Sequence, residues 1–476
     1  MLPVIYTRED IQMSNLTIPE KEVKVIRDCD VLVLGAGMSG FAAALAAARA
    51  GAKTILIDKN HFPGGVATSG LMCSISNFFV TEEGINVNTG IAIEFINRIV
   101  AEGGAEPDYL RIEQPQIPNV PEITKRVMIK MLRESNVTTL YGSMLIDVIT
   151  NEGKVTHCIF QGRDNTFAIS AKQFVDASGD LSIFRRAGGE YEEREDRETL
   201  LYRMANVDVD KIIDWFEENP DSYSPQADIP TSLEATIRNW REYGVFHLPH
   251  FGGGNISIVK EAVETGKYKN TFGKHYVDLD SFGMFSCRAD HGNVLINSNF
   301  SYGGCYDILL ESEREEEGRL LIEEQVEFLT KYFPGFENAY LLESACEIGH
   351  RTSRRATCER LYTENEFSDG VKMRDCIGVI SERDKRTKPI KRLKRLGQLP
   401  LSMIISKKTP NVVVGSAKNP YTEVWGMIRG QAGCLVMGQG AGVSAAIAAI
   451  TEKDVVNVNI RKVQEELIKQ GVKIPH

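Results

Sequence analysis

No two of the nine cysteines are placed as C-x-x-C, and none alternates with histidine in a ligand pattern. Cys29, Cys73, Cys158, Cys287, Cys305, Cys346, Cys358, Cys376 and Cys434 are odd in number and scattered along the chain. Such usage argues against a disulfide scaffold, a zinc site, an iron–sulfur cluster and a dithiol redox centre, and the expectation is reduced thiols in a cytoplasmic protein without a metal. An apolar leader is lacking as well: residues 1–27 are polar and mixed, so no secretory signal is expected. The most apolar late stretch, Leu435 to Ile450, is interrupted by Gln439 and glycines and falls short of the roughly 18 residues of a membrane span. Nor is there a surplus of positive charge. With 55 Lys and Arg against 65 Asp and Glu, the formal charge is -10, which disfavours nucleic acid or an anionic membrane as a partner. The basic run Arg383 to Arg395 reads as an exposed, solvated loop, and neither an internal repeat nor a low-complexity tract is found.

What is present is the composition of a globular protein, 42% hydrophobic and 25% charged, over 476 residues. That length exceeds the roughly 250–300 residues at which a single core stops growing, so two domains are expected, one of them discontinuous. Residues 1–27 read as an extension, 28–194 and 346–476 as two parts of one domain, and 195–345 as an insertion richer in aromatic and polar residues. Asp30 to Leu34 is a continuous apolar run of the kind buried on both faces of a parallel sheet. An alanine-rich helix follows from Ser39 to Gly51, then a second strand from Lys53 to Ile57 that ends at Asp58. Within the insertion, Tyr306 to Tyr332 reads as a helix whose acidic run, Glu311 to Glu317, forms its solvated face.

The chemistry-bearing motif is Gly35-Ala36-Gly37-Met38-Ser39-Gly40, a G-x-G-x-x-G that follows a buried strand, opens a helix and precedes an acid, Asp58, by roughly 20 residues. Gly35 permits the tight turn. Gly37 lets the backbone approach a pyrophosphate, whose charge is favoured at the helix N-terminus, and Gly40 allows close helix–strand packing. The Asp58 carboxylate, followed by Lys59, can accept hydrogen bonds from ribose hydroxyls. A dinucleotide is therefore expected, although this motif does not separate FAD from NAD.

The stretches DVLVLGAGMSGFAAALAAARAGAKTILIDK, PGGVATSG, FVDASGDLSIFRRAGGE, EIGHRTSRRATCERLYT and GQAGCLVMGQGAGVSAAIAAI occur in an order that resembles the two-dinucleotide-binding-domain flavoproteins. Within them the chain is similar to the FAD-dependent oxidoreductases, distantly akin to fumarate reductase and succinate dehydrogenase flavoprotein subunits. The resemblance implies an α/β fold: a Rossmann-like FAD-binding domain of the glutathione-reductase type with an inserted α+β substrate or cap domain. It further implies that Gly64, Gly65, Thr68, Ser69 and Gly70 run beside the flavin, with Ala177, Gly179 and Asp180 near the cofactor. A helix beginning near Gln439, Gly440, Ala441 and Gly442 would point its N-terminus at the flavin ring. The other reading of that segment is a small-residue helix packed closely for steric reasons. Covalent attachment through His61 or Cys73 is disfavoured, because the linking pattern of the succinate dehydrogenase relatives is missing.

For the reacting groups, the resemblance points to His350 and Arg351, and to Arg429 beside Tyr421, Glu423 and Trp425. The R-x-x-R element, Arg351 and Arg354, has a structural reading as well. His247, His250 and His275 are weaker candidates. After the strand at Val412 this chain has Gly415-Ser416-Ala417-Lys418 where relatives commonly carry A-G-R. The implied activity is hydride transfer between a small-molecule substrate and flavin N5, with the electron donor or acceptor unassigned and a homo-oligomer open. The alternatives are an electron-transfer subunit of a complex and, disfavoured by charge, an RNA-modifying flavoprotein.

Overall fold

A computed structural model describes residues 16–76, 87–112, 116–223, 232–248, 256–269, 271–276, 282–381, 383–384, 391–392 and 395–475. His250 and most of the basic run at 383–395 lie outside the described residues.

The first strand, Lys24–Leu34, is longer than its apolar run, so residues 24–27 belong to the sheet and not to an extension. It lies between Thr54–Ile57 and Thr166–Asp176, and all three run parallel. Thr138–Leu140 extends the parallel sheet beyond Thr54–Ile57, and Val412–Val414 pairs in parallel with Phe174–Asp176. A hairpin, Met144–Asn151 and Lys154–Gln161, adds antiparallel strands on the first half of Thr166–Asp176. The tip of this hairpin holds Glu152 and Gly153 at φ of 49° and 79°, the left-handed pair favoured in a tight turn.

Parallel pairing has a consequence for function: C-terminal ends line up along one edge of the sheet. Leu34 is opposite both Ile57 and Asp176, and Val414 is opposite Asp176. The residues that follow, Gly35, Asp58, Ala177 and Gly415, therefore stand in a single row, where open α/β sheets bind ligands.

Behind the sheet, the helix Met38–Arg49 crosses the late helix Gln431–Ile450. Side chains would hold the two backbones apart. A β-carbon on Gly438 would lie 2.1 Å from Ser39 O, and one on Gly442 2.1 Å from Ala43 O. Small residues thus allow backbone contact, and the sterically packed reading of this segment is the one the structure bears out. The late helix has the length and apolarity of a membrane span, contrary to the length argument from sequence, but 83% of its apolar window is buried inside the protein.

A second apolar core is built from residues between Leu200 and Ile348, joined by Leu71 and Cys73. Its five-stranded antiparallel sheet has the order Val245–Leu248, Gly283–Cys287, Val294–Asn297, Tyr202–Ala205, Tyr340–Ser344. The long helix Ile308–Tyr332 starts on an Asp307 cap, whose carboxylate accepts from the N–H groups of Leu309 and Leu310. Where the chain passes between the cores, Tyr191–Glu193 pairs with Arg354–Ala356.

The helix crossing sets a test. Gly442→Val must push two backbones apart, and a loss of about 3 kcal/mol in urea unfolding is expected. Stability equal to wild type would show that this crossing is loose.

Candidate cofactor and active site

The dinucleotide loop opens at Gly35, φ 95°, where a β-carbon would meet Ala177 O at 2.4 Å. Gly40 is closed by the loop itself: its β-carbon would fall 1.7 Å from Gly35 O. Gly37 differs from both. It has φ -65° and ψ -178°, extended backbone open to any residue, and a β-carbon there would meet nothing within 4 Å. Neither conformation nor internal packing requires this glycine, so its missing side chain leaves space for something outside the chain. The helix Met38–Arg49 starts here with no side-chain cap and no acid in its first turn, so its positive end is left to a ligand. Met38 and Ser39 are buried, and Ser39 Oγ accepts from Ala417 N–H at 3.5 Å.

Asp58 is buried at the end of the second strand. Its Oδ2 accepts from Ala36 N–H at 2.5 Å and its Oδ1 from Asn60 N–H at 2.7 Å. Burial pushes the carboxyl above its ordinary value, opposed by those two N–H groups. The carboxylate therefore shapes the loop while keeping acceptor sites for hydroxyls. The Lys59 ammonium forms an ion pair with Glu347 at 2.5 Å.

The second glycine loop lies against the first: Gly64 N–H donates to Ala36 O at 2.8 Å, and Gly65 would bring a β-carbon to 3.0 Å from Gly37 Cα. Thr68 and Ser69 lie within this second loop. Their hydroxyls donate to Pro63 O and Gly65 O, both at 2.9 Å, and so hold the turn itself. Gly70 packs on Val66, and Ser69 O accepts from Cys346 N–H at 3.0 Å, which ties the loop to the chain returning from the second core.

At the end of Thr166–Asp176, the fully buried Asp176 accepts from Ser178 Oγ at 2.6 Å and from Ile183 and Phe184 N–H at 2.7 and 2.9 Å. This carboxylate, absent from the candidates read in the sequence, pins the turn carrying Ala177, Gly179 and Asp180. Ser353 Oγ donates to Gly179 O at 2.8 Å, and Arg354 Nη1 to Asp180 O at 3.3 Å. Burial works to raise the Asp180 carboxyl, yet Lys418, Ser353 and His350 hold it below its ordinary value.

The late helix begins at Gln431, capped by Gly430. Gln439, Gly440, Ala441 and Gly442 therefore sit in its middle and form no N-terminus. Gln439 Oε1 accepts from Ile91 N–H at 2.9 Å, while Gly440 packs on Ile377. The helix end that reaches the site is the turn at Gln431–Cys434, where Gln431 Nε2 donates to Met72 O at 2.7 Å. Arg429 precedes it, with its guanidinium 5.3 Å from the Trp425 ring.

His350 is brought to Glu198 by strand register, for Gly349–His350 pairs with Asp196–Thr199. Its Nδ1 lies 2.5 Å from Glu198 Oε1 and its Nε2 2.8 Å from Glu311 Oε1. Burial opposes a charged ring, but the hydrogen bonds to the two carboxylates outweigh it and raise the pKa to about 9. Glu198 also receives Arg314 Nη1 at 3.0 Å. Both ring nitrogens of His350 are thus engaged by carboxylates, Glu198 on one side and Glu311 on the other. The same contacts correct the reading of Glu311 to Glu317: Glu311 and the buried Arg314 point inward, and only part of that run is a solvated face. Arg351 stacks over Phe300 at 4.9 Å. His247 stacks on Phe285 at 4.7 Å, and His275 lies 3.3 Å from Glu313.

A row of glycine turns, an open Gly37, an uncapped helix and a buried acid make a dinucleotide cradle. The family model for FAD dependent oxidoreductases matches residues 30–467, and the chain belongs to that family. Among curated relatives, it is 53% identical over 47 residues to the sarcosine oxidase subunit alpha of Rhizobium meliloti (strain 1021), covering 10% of this chain and 5% of that one. With the urocanate reductase of Eggerthella lenta it shares 39% identity over 70 residues, 14% of this chain and 12% of the other. The chain thus spans only a small part of the curated relatives it matches. Among solved structures, a geranylgeranyl bacteriochlorophyll reductase-like protein from Thermoplasma acidophilum is 16% identical with a TM-score of 0.42, covering 93% of this chain and 84% of that one. A likeness this distant says nothing of reaction or substrate.

The His350 contacts generate a pH prediction. Because its folded pKa lies above the ordinary 6.5, the stabilisation is complete below about pH 6.5 and is lost as pH rises through about 9. Against His350→Gln, the wild type should be more stable at pH 6 by on the order of 3 kcal/mol, and the gap should close towards pH 10. Urea unfolding at both pH values measures this; a gap constant with pH would mean the ring is neutral throughout.

Proposed function

We propose that the protein transfers a hydride between a small-molecule substrate and N5 of a non-covalently held FAD. The observation that carries this reading is Gly37, an extended residue whose side-chain space is empty at the uncapped start of the helix Met38–Arg49. When bound, FAD supplies a ring that accepts or gives up a hydride.

The residues divide the task. Amides from Gly37 to Gly40 and the helix dipole receive the diphosphate, and Asp58 receives ribose hydroxyls. The turns at Gly64–Gly65 and Ala177–Asp180, with Gly415 to Lys418, border the remainder of the cofactor, and the turn at Gln431–Cys434 directs a second positive helix end into the same region. Non-covalent attachment is supported by the two groups that would otherwise be candidates for a link. Cys73 is 3% exposed inside the second core, where burial pushes its thiol up to about 12, and His61 lies over Gly142. The substrate is assigned to the region where Asp180 lies against Cys305 and Lys418. With His350 held by carboxylates, substrate orientation falls to Lys418 and Arg429, and the electron partner is a diffusible molecule or protein outside this chain.

Purified protein should be yellow, and acid precipitation should release free FAD. Gly37→Val should keep the melting temperature of the FAD-stripped wild type, since a β-carbon there would meet nothing within 4 Å, while FAD affinity falls by more than about tenfold, or 1.4 kcal/mol. A Gly37→Val protein that binds FAD as tightly as wild type would remove the main support for the cradle.

A further inference from the structure

Lys418 has a placement that the cofactor cradle alone does not explain. It follows the strand Val412–Val414, and its N–H donates to Ser416 Oγ at 3.3 Å. The preceding N–H, of Ala417, reaches Ser39 Oγ at 3.5 Å, so this turn is fixed against the start of the helix Met38–Arg49. From there the side chain crosses to the next turn of the row, where a β-carbon on Gly179 would lie 3.4 Å from Nζ. Asp180 Oδ1 is 3.9 Å from Nζ, and the two side chains are 41% and 22% exposed respectively. At that separation the pair is an ion pair without a hydrogen bond. Among the described residues Nζ makes no hydrogen bond, so a partly buried ammonium with three donors stands beside Gly179 and Asp180. Its charge is felt by His350 and Cys305 on the side of the second core and by Cys434 on the first turn of the late helix. Lys418 therefore stands where the two cores face each other.

We propose that Lys418 is a positioning charge that raises the reduction potential of the bound flavin, with Asp180 holding it in place and partly offsetting it. This rests on the FAD reading above. A hydride carries two electrons and one negative charge to its acceptor, and a fixed cation in a poorly solvated cleft lowers the cost of that charge. The nearby carboxylate acts with the opposite sign.

The test is the midpoint potential of the holoenzyme, measured by reductive titration against reference dyes at saturating FAD. Lys418→Met should shift the oxidised-to-reduced balance about tenfold towards the oxidised form, a fall of about 30 mV for two electrons. Lys418→Arg should stay at the wild-type value, and Asp180→Asn should move upward. A Lys418→Met enzyme with wild-type potential overturns the proposal, whether its FAD affinity is unchanged or weakened; weakened affinity with unchanged potential would assign the lysine to the diphosphate. Should Lys418→Met fail to fold, Asp180→Asn decides, since a potential that stays or falls sinks the idea. A wild-type protein that purifies colourless and takes up no FAD would instead defeat the parent reading, so the two failures are distinguishable.

Discussion

Everything in the nucleotide-binding half depends on the contact between two helices from opposite ends of the chain. Gly438 and Gly442 bring the late helix onto the backbone at Ser39 and Ala43, so the turn at Gln431–Cys434 is delivered to the same place as the start of Met38–Arg49. Two positive helix ends then serve one region. Larger side chains at those glycines would displace the late helix as a whole, and with it the turn that reaches the site. The strand register does the complementary job, fixing Gly35, Asp58, Ala177 and Gly415 side by side.

The second core is tied to the first by polar contacts at defined points. Arg314, Glu198, His350 and Glu311 form a chain of alternating charge. Removing one member of a buried chain strands its neighbour's charge, so such networks fix one arrangement even where their net contribution to stability is modest. Arg354 extends the same logic into the row of turns, since it bonds Asp180 O while stacking on Tyr306 at 4.8 Å. The R-x-x-R element thus has a structural half in Arg354.

The opening strand, helix and strand were legible because each carries a local signal: a doubly buried apolar run, a glycine turn and an alanine-rich helix. The FAD assignment was legible only through several motifs in order. The start of the late helix was misread because Gly438, Gly440 and Gly442 look like a loop leading into a helix, whereas Gly430 is the cap. The spacing of Cys434, Gly438 and Gly442 by four was the available signal for a close crossing face. The carboxylate partners of His350 were hidden for a different reason. Its partner Glu198 is set by strand pairing, and no local pattern announces it; Glu311 and Arg314 were hidden in a run whose overall charge suggested solvent. An arginine among five acids, on the face that continues through Gly318, Leu321 and Gln325, was the sign that part of that helix turns inward.

The charges along the row have an order that bears on how the site works. Asp58 stands at the end that suits hydroxyls, the uncapped helix at Gly37 follows, and Lys418 lies beyond, opposite Asp180. On the proposed reading, acid, helix dipole and ammonium match in sequence a ligand with hydroxyls at one end, a diphosphate in the middle and a centre that gains negative charge at the other. Asp180 at 3.9 Å keeps the lysine directed without the hydrogen bond that would neutralise it more fully. On the proposed reading, a closer pair would stabilise the unliganded protein at the expense of the charge that arrives with the hydride, so the looser geometry is the one suited to receiving negative charge and releasing it again.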